Sequence, residues 1–293
     1  MSGKTPSVRE AQGSVFRHRF GVLGHGSRPC VLISPTAVNA AASRVLVCCS
    51  AHSGPRDAFA VKVTDADVPG LYDGGFQPHN LRSVSKLPWL AADGILLESG
   101  LVDQPSRQLV AGVRSGFTPG YVGPLPTERM GALTERFSAL FTGDKLNAYL
   151  PGTVAANKDD WGLPLRQWQV VVVRWILPNF TDQLLYAVLS HDTFHARHPH
   201  SAFVGAPLRP VADSTQVDNG IRIALAGERH FSIAIEEMIS ISRETGAGAN
   251  RTRASLMLPL NERVPQAHRE PILHIIDGML GLTALGSTAE GTQ

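Results

Sequence analysis

Ser27–Ser53, SRPCVLISPTAVNAAASRVLVCCSAHS, decides how the rest of the chain is read. A Ser-Arg-Pro leads into an apolar run, Cys30–Ile33, and a turn-rich connection, Ser34–Ser43, leads to a second one, Val45–Cys49. Both runs are short and apolar or β-branched, which predicts adjacent buried strands. The second run delivers Ser50 and His52 at its exit. If the two strands pair, Arg28 at one entrance and Ser50 with His52 at the other exit come to one edge of a sheet.

On the N-terminal side, Val15–Phe20 alternates apolar and basic side chains, the pattern of a half-buried strand. Gly21–Ser27 reads as a glycine-rich loop with neither a P-loop lysine nor a strand-to-helix dinucleotide pattern, so nucleotide binding finds little support. Met1–Gln12 is polar and predicts a loose segment without the apolar core of a secretory signal. On the C-terminal side, Phe59–Val63 predicts another short strand. Pro69–Trp89, rich in Gly, Pro, Asn and Ser, reads as a long irregular insertion. Thr127 is placed to cap a helix in which Met130, Leu133, Phe137 and Leu140 form one apolar stripe.

At these residues the chain resembles the MazF/PemK (Kid) toxin family of small β-barrel ribonucleases. Gly13-Ser14-Val15-Phe16 stands for the family's first strand, and Arg28-Pro29 for its Arg-Pro pair. Val31-Leu32-Ile33-Ser34-Pro35 follows, with Asn39 a little later. Val45–Cys49 then leads to Ser50, where the family usually has threonine. Ile95-Leu96-Leu97-Glu98 matches the family's "VLLE" strand, with Leu101 and Val102 in place of its polar end. The resemblance covers residues 13–142.

The second half reads as the same unit again. Trp168–Ile176 takes the first-strand position, and Ala187-Val188-Leu189-Ser190-His191 resembles Val31-Leu32-Ile33-Ser34-Pro35. Ala202–Ala206 stands for Val45–Cys49, Phe231–Glu236 for the "VLLE" strand, and Leu258–Arg263 echoes Leu125–Arg129 before a closing apolar run, Ile272–Leu282. Pro271 suits the start of that last helix rather than its interior. The implied fold is mainly β with α: two tandem SH3-like small β-barrels of MazF/CcdB type, each with a C-terminal helix, paired as an intramolecular pseudo-dimer. The expected domains are 13–142 and a degenerate copy, 166–282, joined by a Gly/Pro/Asn/Asp-rich linker at 143–165.

The chain's 293 residues, 43% hydrophobic and 18% charged, predict a globular protein with a sizeable core. No apolar stretch approaches the roughly 20 residues that span a bilayer. Cys30, Cys48 and Cys49 are an odd count without zinc or disulfide spacing, which fits a reducing cytoplasm. Residues 1–143 carry 14 Lys+Arg against 10 Asp+Glu, an excess of +4, whereas the remainder carries 13 against 15, or −2. Arg17, His18, Arg19, His25, Arg28, Arg44, His52 and Arg56 crowd the first part of the chain. Such a cluster suits the phosphates of a polyanion, and a solvated basic rim is the other reading.

The resemblance implies metal-independent cleavage of single-stranded RNA, with no cofactor. The ribose 2′-OH attacks the neighbouring phosphorus, leaving a 2′,3′-cyclic phosphate and a 5′-OH. Arg28 suits the cation at the phosphate, since its planar fork pairs with phosphate oxygens and keeps its charge. Ser50 can donate a hydrogen bond there, and His52 or His25 can move a proton near neutral pH. Arg17, Arg19, His25 and Arg56 are the expected contacts to flanking phosphates. In the second half, Gln183-Leu184 and Pro207-Leu208 stand at the Arg-Pro and Ser50 positions, so that copy reads as stripped. His191, His195, His198 and His200 read as an exposed histidine-rich loop rather than a metal site, and Glu236-Glu237 as a structural contact. The family also implies an antitoxin protein as partner. The alternative is a non-catalytic, CcdB-like binder that inhibits a host protein such as DNA gyrase.

Overall fold

In the computed structural model, residues 11–18, 28–42, 44–51, 58–68, 74–85, 121–150, 165–177, 180–197, 202–211, 221–225, 229–241 and 254–282 are described. The chain divides into two units, residues 1–137 with 278–293, and residues 138–277. The fold is mainly β with a few helices, and each unit is built on a curled antiparallel half-barrel sheet.

The first unit begins with β1 (Ser14–His18), β2 (Arg28–Leu32), α1 (Thr36–Ala41) and β3 (Arg44–Ala51). β2 and β3 pair antiparallel as expected, with Cys30 opposite Cys49, Val31 opposite Cys48 and Leu32 opposite Val47. β4 (Val61–Val63), β5 (Gly74–Ser85) and β6 (Tyr121–Pro124) complete a sheet ordered β4-β5-β3-β2-β1-β6. Phe16, Cys30, Leu32, Val45, Val47 and Cys49 are buried together on one face, as the two-residue strand period requires. Burying a large apolar side chain of this kind contributes about 1.5–3 kcal/mol.

The turn after β2 is closed by buried polar groups. The Ser34 hydroxyl donates to Asn39 Oδ1 (2.5 Å) and accepts from the Leu46 N–H (3.1 Å), while Asn39 Nδ2 donates to the Ser34 carbonyl (2.8 Å). Gln12 secures the same corner. Its N–H donates to Thr36 Oγ1 (3.1 Å), and its Nε2 donates to the carbonyls of Ile33 (2.8 Å) and Leu280 (3.3 Å). Gly13, at φ 85°, turns the chain into β1: its N–H donates to Leu32 O (2.8 Å) and its carbonyl accepts from Leu125 N–H (2.7 Å).

α2 (Thr127–Thr142) follows β6, and its residues from Ser138 onward are counted in the second unit, which also holds α3 (Leu146–Tyr149). Then come β7 (Gln169–Leu177), β8 (Phe180–Val188), α4 (Asp192–Arg197), β9 (Phe203–Pro210), β10 (Ile221–Leu225), β11 (Arg229–Ile233), a 3₁₀ turn (Ile235–Glu237), β12 (Ile239–Ile241), β13 (Ala254–Arg263) and α5 (Gln266–Leu280). The sheet is ordered β10-β11-β9-β8-β7-β13, with β12 also on β9.

Its corner repeats the first one with different residues. The Ser190 hydroxyl accepts from Val204 N–H (3.0 Å) and lies 2.8 Å from His195 Nε2. His195 Nδ1 lies 3.1 Å from the Leu165 carbonyl, which can only accept, so Nδ1 carries the proton and Nε2 accepts from Ser190. Gln167 donates to the carbonyls of Leu189 (2.7 Å) and Phe141 (2.8 Å), and its N–H donates to Asp192 Oδ1 (2.5 Å). Trp168, at φ 67°, stands where Gly13 does. Its N–H donates to Val188 O (2.7 Å) and its carbonyl accepts from Val264 N–H (2.8 Å). These bonds equate Leu32 with Val188, Ser34 with Ser190, Asn39 with His195, Leu46 with Val204 and Leu125 with Val264.

Several expectations are corrected by this geometry. Within Pro69–Trp89, Gly74–Ser85 is a twelve-residue central strand rather than an insertion. The register with β3 shifts between Cys48, opposite Leu81, and Ser50, opposite Phe76. Pro78 falls in that interruption, where no ladder bond is asked of it. Gly75 is required because a Cβ there would lie 2.9 Å from Ala60 Cβ. Phe231–Ile233 pairs with the end of β9 as Gly75 and Phe76 of β5 pair with β3, so it does not stand for Ile95–Glu98, which lies outside the described residues. Leu258–Arg263 belongs to β13, and the true echo of Leu125-Pro126 is Val264-Pro265. Thr127 is the first helical residue of α2, with Pro126 O accepting from Met130 N–H (2.9 Å), and Pro271 lies inside α5.

Two tests follow from these contacts. Gly143 ends α2 at φ 83°, and an added Cβ would run into the ring of His191, a residue whose backbone N–H donates to Leu140 O at 2.8 Å. Gly143→Ala should therefore lower the free energy of unfolding in urea by on the order of 2 kcal/mol. Asp67 accepts from the Thr64 N–H (2.8 Å) and from Arg129 Nε (3.2 Å). The Thr64 N–H, against the effect of burial and with help from Arg129 and the Thr64 hydroxyl, holds its carboxyl below the usual carboxylate range. A depressed carboxylate stabilises the fold above its unfolded pKa of about 3.9, and that stability is lost as pH falls through the folded value. Asp67→Asn should flatten the acid limb of the stability profile below about pH 4 and leave its slope near neutrality unchanged.

Candidate functional site

The end of the β1–β2–β3 ladder gathers the residues singled out in the sequence. His18 lies opposite Arg28 and Arg17 opposite Pro29, so three basic positions are neighbours on two strands. Continuing the β2–β3 register by two residues brings Arg28 level with Ala51 and Pro29 level with Ser50. Positions 28 and 50 therefore come to the same end of the ladder. Strand alternation puts position 28 on the face of Cys30 and position 50 on the face of Cys48. Ser50 is buried, 8% exposed, with its Cα opposite Phe76. Arg19, His25, His52 and Arg56 lie outside the described residues.

The corner network fixes this end indirectly. The Ile33 N–H donates to Leu46 O (3.0 Å), one step beyond the Leu32–Val47 pair, and the Ser34–Leu46 bond completes the turn. A one-residue slip there would exchange the faces of every residue on β3. The register that relates Arg28 to Ser50 is thus set about five residues away, in the buried turn.

In the second unit the same count equates Arg28 with Leu184 and Ser50 with Leu208. The sequence had already paired these positions with Gln183-Leu184 and Pro207-Leu208; the hydrogen bonds choose the second residue of each. Leu184 is 41% exposed and Leu208 is buried, and neither offers a charge or a hydrogen-bond donor. One residue further, Arg209 forms an ion pair with Glu237, which sits in the 3₁₀ turn after β11. That contact was not expected from the sequence. It makes Glu237 a partner of β9, in line with a structural role for the acidic pair.

The histidine-rich stretch is corrected in part. Asp192–Arg197 is helical, and His195 is buried, holding Ser190 and the Leu165 carbonyl rather than facing solvent. His191 packs at the end of α2, while His198 and His200 lie outside the described residues. Among the described residues, no group of three or more His, Cys, Asp or Glu side chains is arranged to hold a metal ion. No helix among them is long and apolar enough to cross a membrane.

Gln12 and Gln167 are the residues that the sequence reading missed, the first because it falls at the end of a polar leader. Their signal is positional: each lies two residues before the first strand of its unit and reaches the carbonyl just after the second.

No family model matches the chain, and no curated protein matches it. Among solved structures, that of MazE-MazF (Form-III) from Deinococcus radiodurans aligns with 44% of this chain and 92% of that chain, at 15% identity and a TM-score of 0.29.

Proposed function

We propose that the chain is a toxin-type, metal-independent endoribonuclease acting on single-stranded RNA, with its chemistry in the first unit. The observation that carries the reading is the antiparallel β2–β3 register, which brings the Arg28 position and the Ser50–Ala51 end of β3 together beside Arg17 and His18. A guanidinium at this end is suited to the non-bridging oxygens of a phosphodiester as negative charge develops on them. Arg28 is the cation in this reading and His52 or His25 the proton carrier; Ser50, which strand alternation puts on the other face of the sheet, is assigned no contact to the same phosphate. Arg17, Arg19 and Arg56 then hold flanking phosphates, with the +4 excess of residues 1–143 drawing RNA toward this half. The sequence resemblance brings with it a neutralising antitoxin as protein partner.

The products are a 2′,3′-cyclic phosphate on one fragment and a 5′-OH on the other, and the reaction runs in EDTA. The burial of Ser50 favours a second reading, a CcdB-like binder that inhibits a host protein such as DNA gyrase without cutting RNA.

Incubating the whole chain with total RNA in EDTA and analysing the fragment ends separates the two. Cleavage with these ends supports the nuclease, and intact RNA at stoichiometric protein supports the binder. Arg28→Ala should lower the cleavage rate by on the order of a hundredfold or more, with an unchanged unfolding midpoint. Arg28→Lys should recover little, because an ammonium lacks the planar fork. Full cleavage by Arg28→Ala would remove that residue from the mechanism.

A further inference from the structure

Cys30 and Cys49 are directly opposite one another on β2 and β3, and both belong to the same buried face. The kind of pair they form can be worked out from the ladder. Ile33 N–H donates to Leu46 O, so the pair 33–46 is hydrogen-bonded, and hydrogen-bonded pairs recur at every second residue. Residues 31 with 48 follow in that class, and 30 with 49 falls between, at a non-hydrogen-bonded position. There the Cα atoms approach to about 4.5 Å and the side chains stand closest. That separation lies within the roughly 4.4–6.8 Å that a disulfide spans.

The third cysteine is excluded by the same geometry. Cys48 is next to Cys49 on the strand and so faces the other way, and its thiol donates to the Gln77 carbonyl at 3.1 Å. We propose that Cys30 and Cys49 are a redox pair, held as thiols in reducing conditions and able to close into a cross-strand disulfide that ties β2 to β3. Burial, and the nearness of Cys49, push the Cys30 thiol well above its ordinary pKa. The folded thiols therefore react slowly, and oxidation proceeds through transient opening of the sheet.

With a low-molecular-weight disulfide such as oxidised glutathione as oxidant, one thiol loses its proton. The resulting thiolate attacks the oxidant, forming a mixed disulfide and releasing one glutathione thiolate. The second protein thiolate attacks the protein sulfur of that mixed disulfide and releases the other glutathione. The protein loses two hydrogens, and the oxidant gains two electrons and, with the two protons, becomes two thiols. The bond closes the loop of residues 31–48, which contains the buried Ser34 turn. It constrains that segment in the unfolded chain, and the oxidised form should unfold at higher urea.

The test uses the whole chain, treated with oxidised glutathione in buffer and in sub-denaturing urea, then alkylated in denaturant and digested with trypsin. The Arg28-Pro29 bond resists trypsin, so Cys30 lies in peptide 20–44, and Cys48 with Cys49 in peptide 45–56. The expected product joins these two peptides with one alkylated cysteine in the second, forms faster in urea, and reverts with dithiothreitol. Cys48→Ser should still form it, and Cys49→Ser should not. The unfolding midpoint of the oxidised chain should exceed that of the reduced chain. Absence of the linked peptides in both conditions, a bond between Cys48 and Cys49, or a cross-link lost in Cys48→Ser would overturn the proposal.

Discussion

A buried serine hydroxyl at the end of the second strand holds each unit together. Ser34 and Ser190 are both 0% exposed, and each accepts a backbone N–H near the start of the following strand, from Leu46 or Val204. Each also satisfies a side chain five residues on, Asn39 in one unit and His195 in the other. Without the hydroxyl, a buried donor would lose its acceptor, at a cost of about 1–3 kcal/mol. The turn in turn sets the register of two central strands, and that register determines which residues meet at their far end. A bond between serine and a backbone amide thus acts on the position of Arg28 relative to Ser50.

The two units show how far the residues of such a corner can change while its hydrogen bonds are kept. Asn39 is replaced by His195, and Thr36 by Asp192, with the accepting oxygen retained at the second position. Gly13 is replaced by Trp168, in a left-handed conformation that disfavours any side chain by about 1–2 kcal/mol. Trp168 is only 7% exposed, and burial of its ring offsets that cost. At the ladder end the substitutions run the other way. Arginine and serine become Leu184 and Leu208, which keep the strand and discard the polar groups. The corner's hydrogen bonds recur in both units, whereas at these two positions polar side chains stand only in the first.

The β2–β3 pair, β1, α2 and the duplication itself were legible because short apolar runs and a 3.6-residue stripe report burial directly. β5 was not, since Gly75 and Pro78 read as loop signals. Gly75 in fact makes room for Ala60, and Pro78 sits in a break of the ladder. The buried role of His195 was hidden because a run of histidines suggests exposure. Its position five residues after a serine, like that of Asn39, was the better guide. Arg19, His25, His52 and Arg56 fall outside the described residues. Register could be read for Arg28 and Ser50 because it depends on backbone pairing.

The central claim is that one of two copies of this unit carries the chemistry. It is tested most directly by counting binding sites for an RNA that cannot be cleaved. Titrating the whole chain with a single-stranded RNA bearing a 2′-methoxy group at every position should give one RNA per chain. Binding should be lost in Arg28→Ala and kept in Leu184→Ala. Two equivalent sites per chain, or binding that survives Arg28→Ala, would contradict the account.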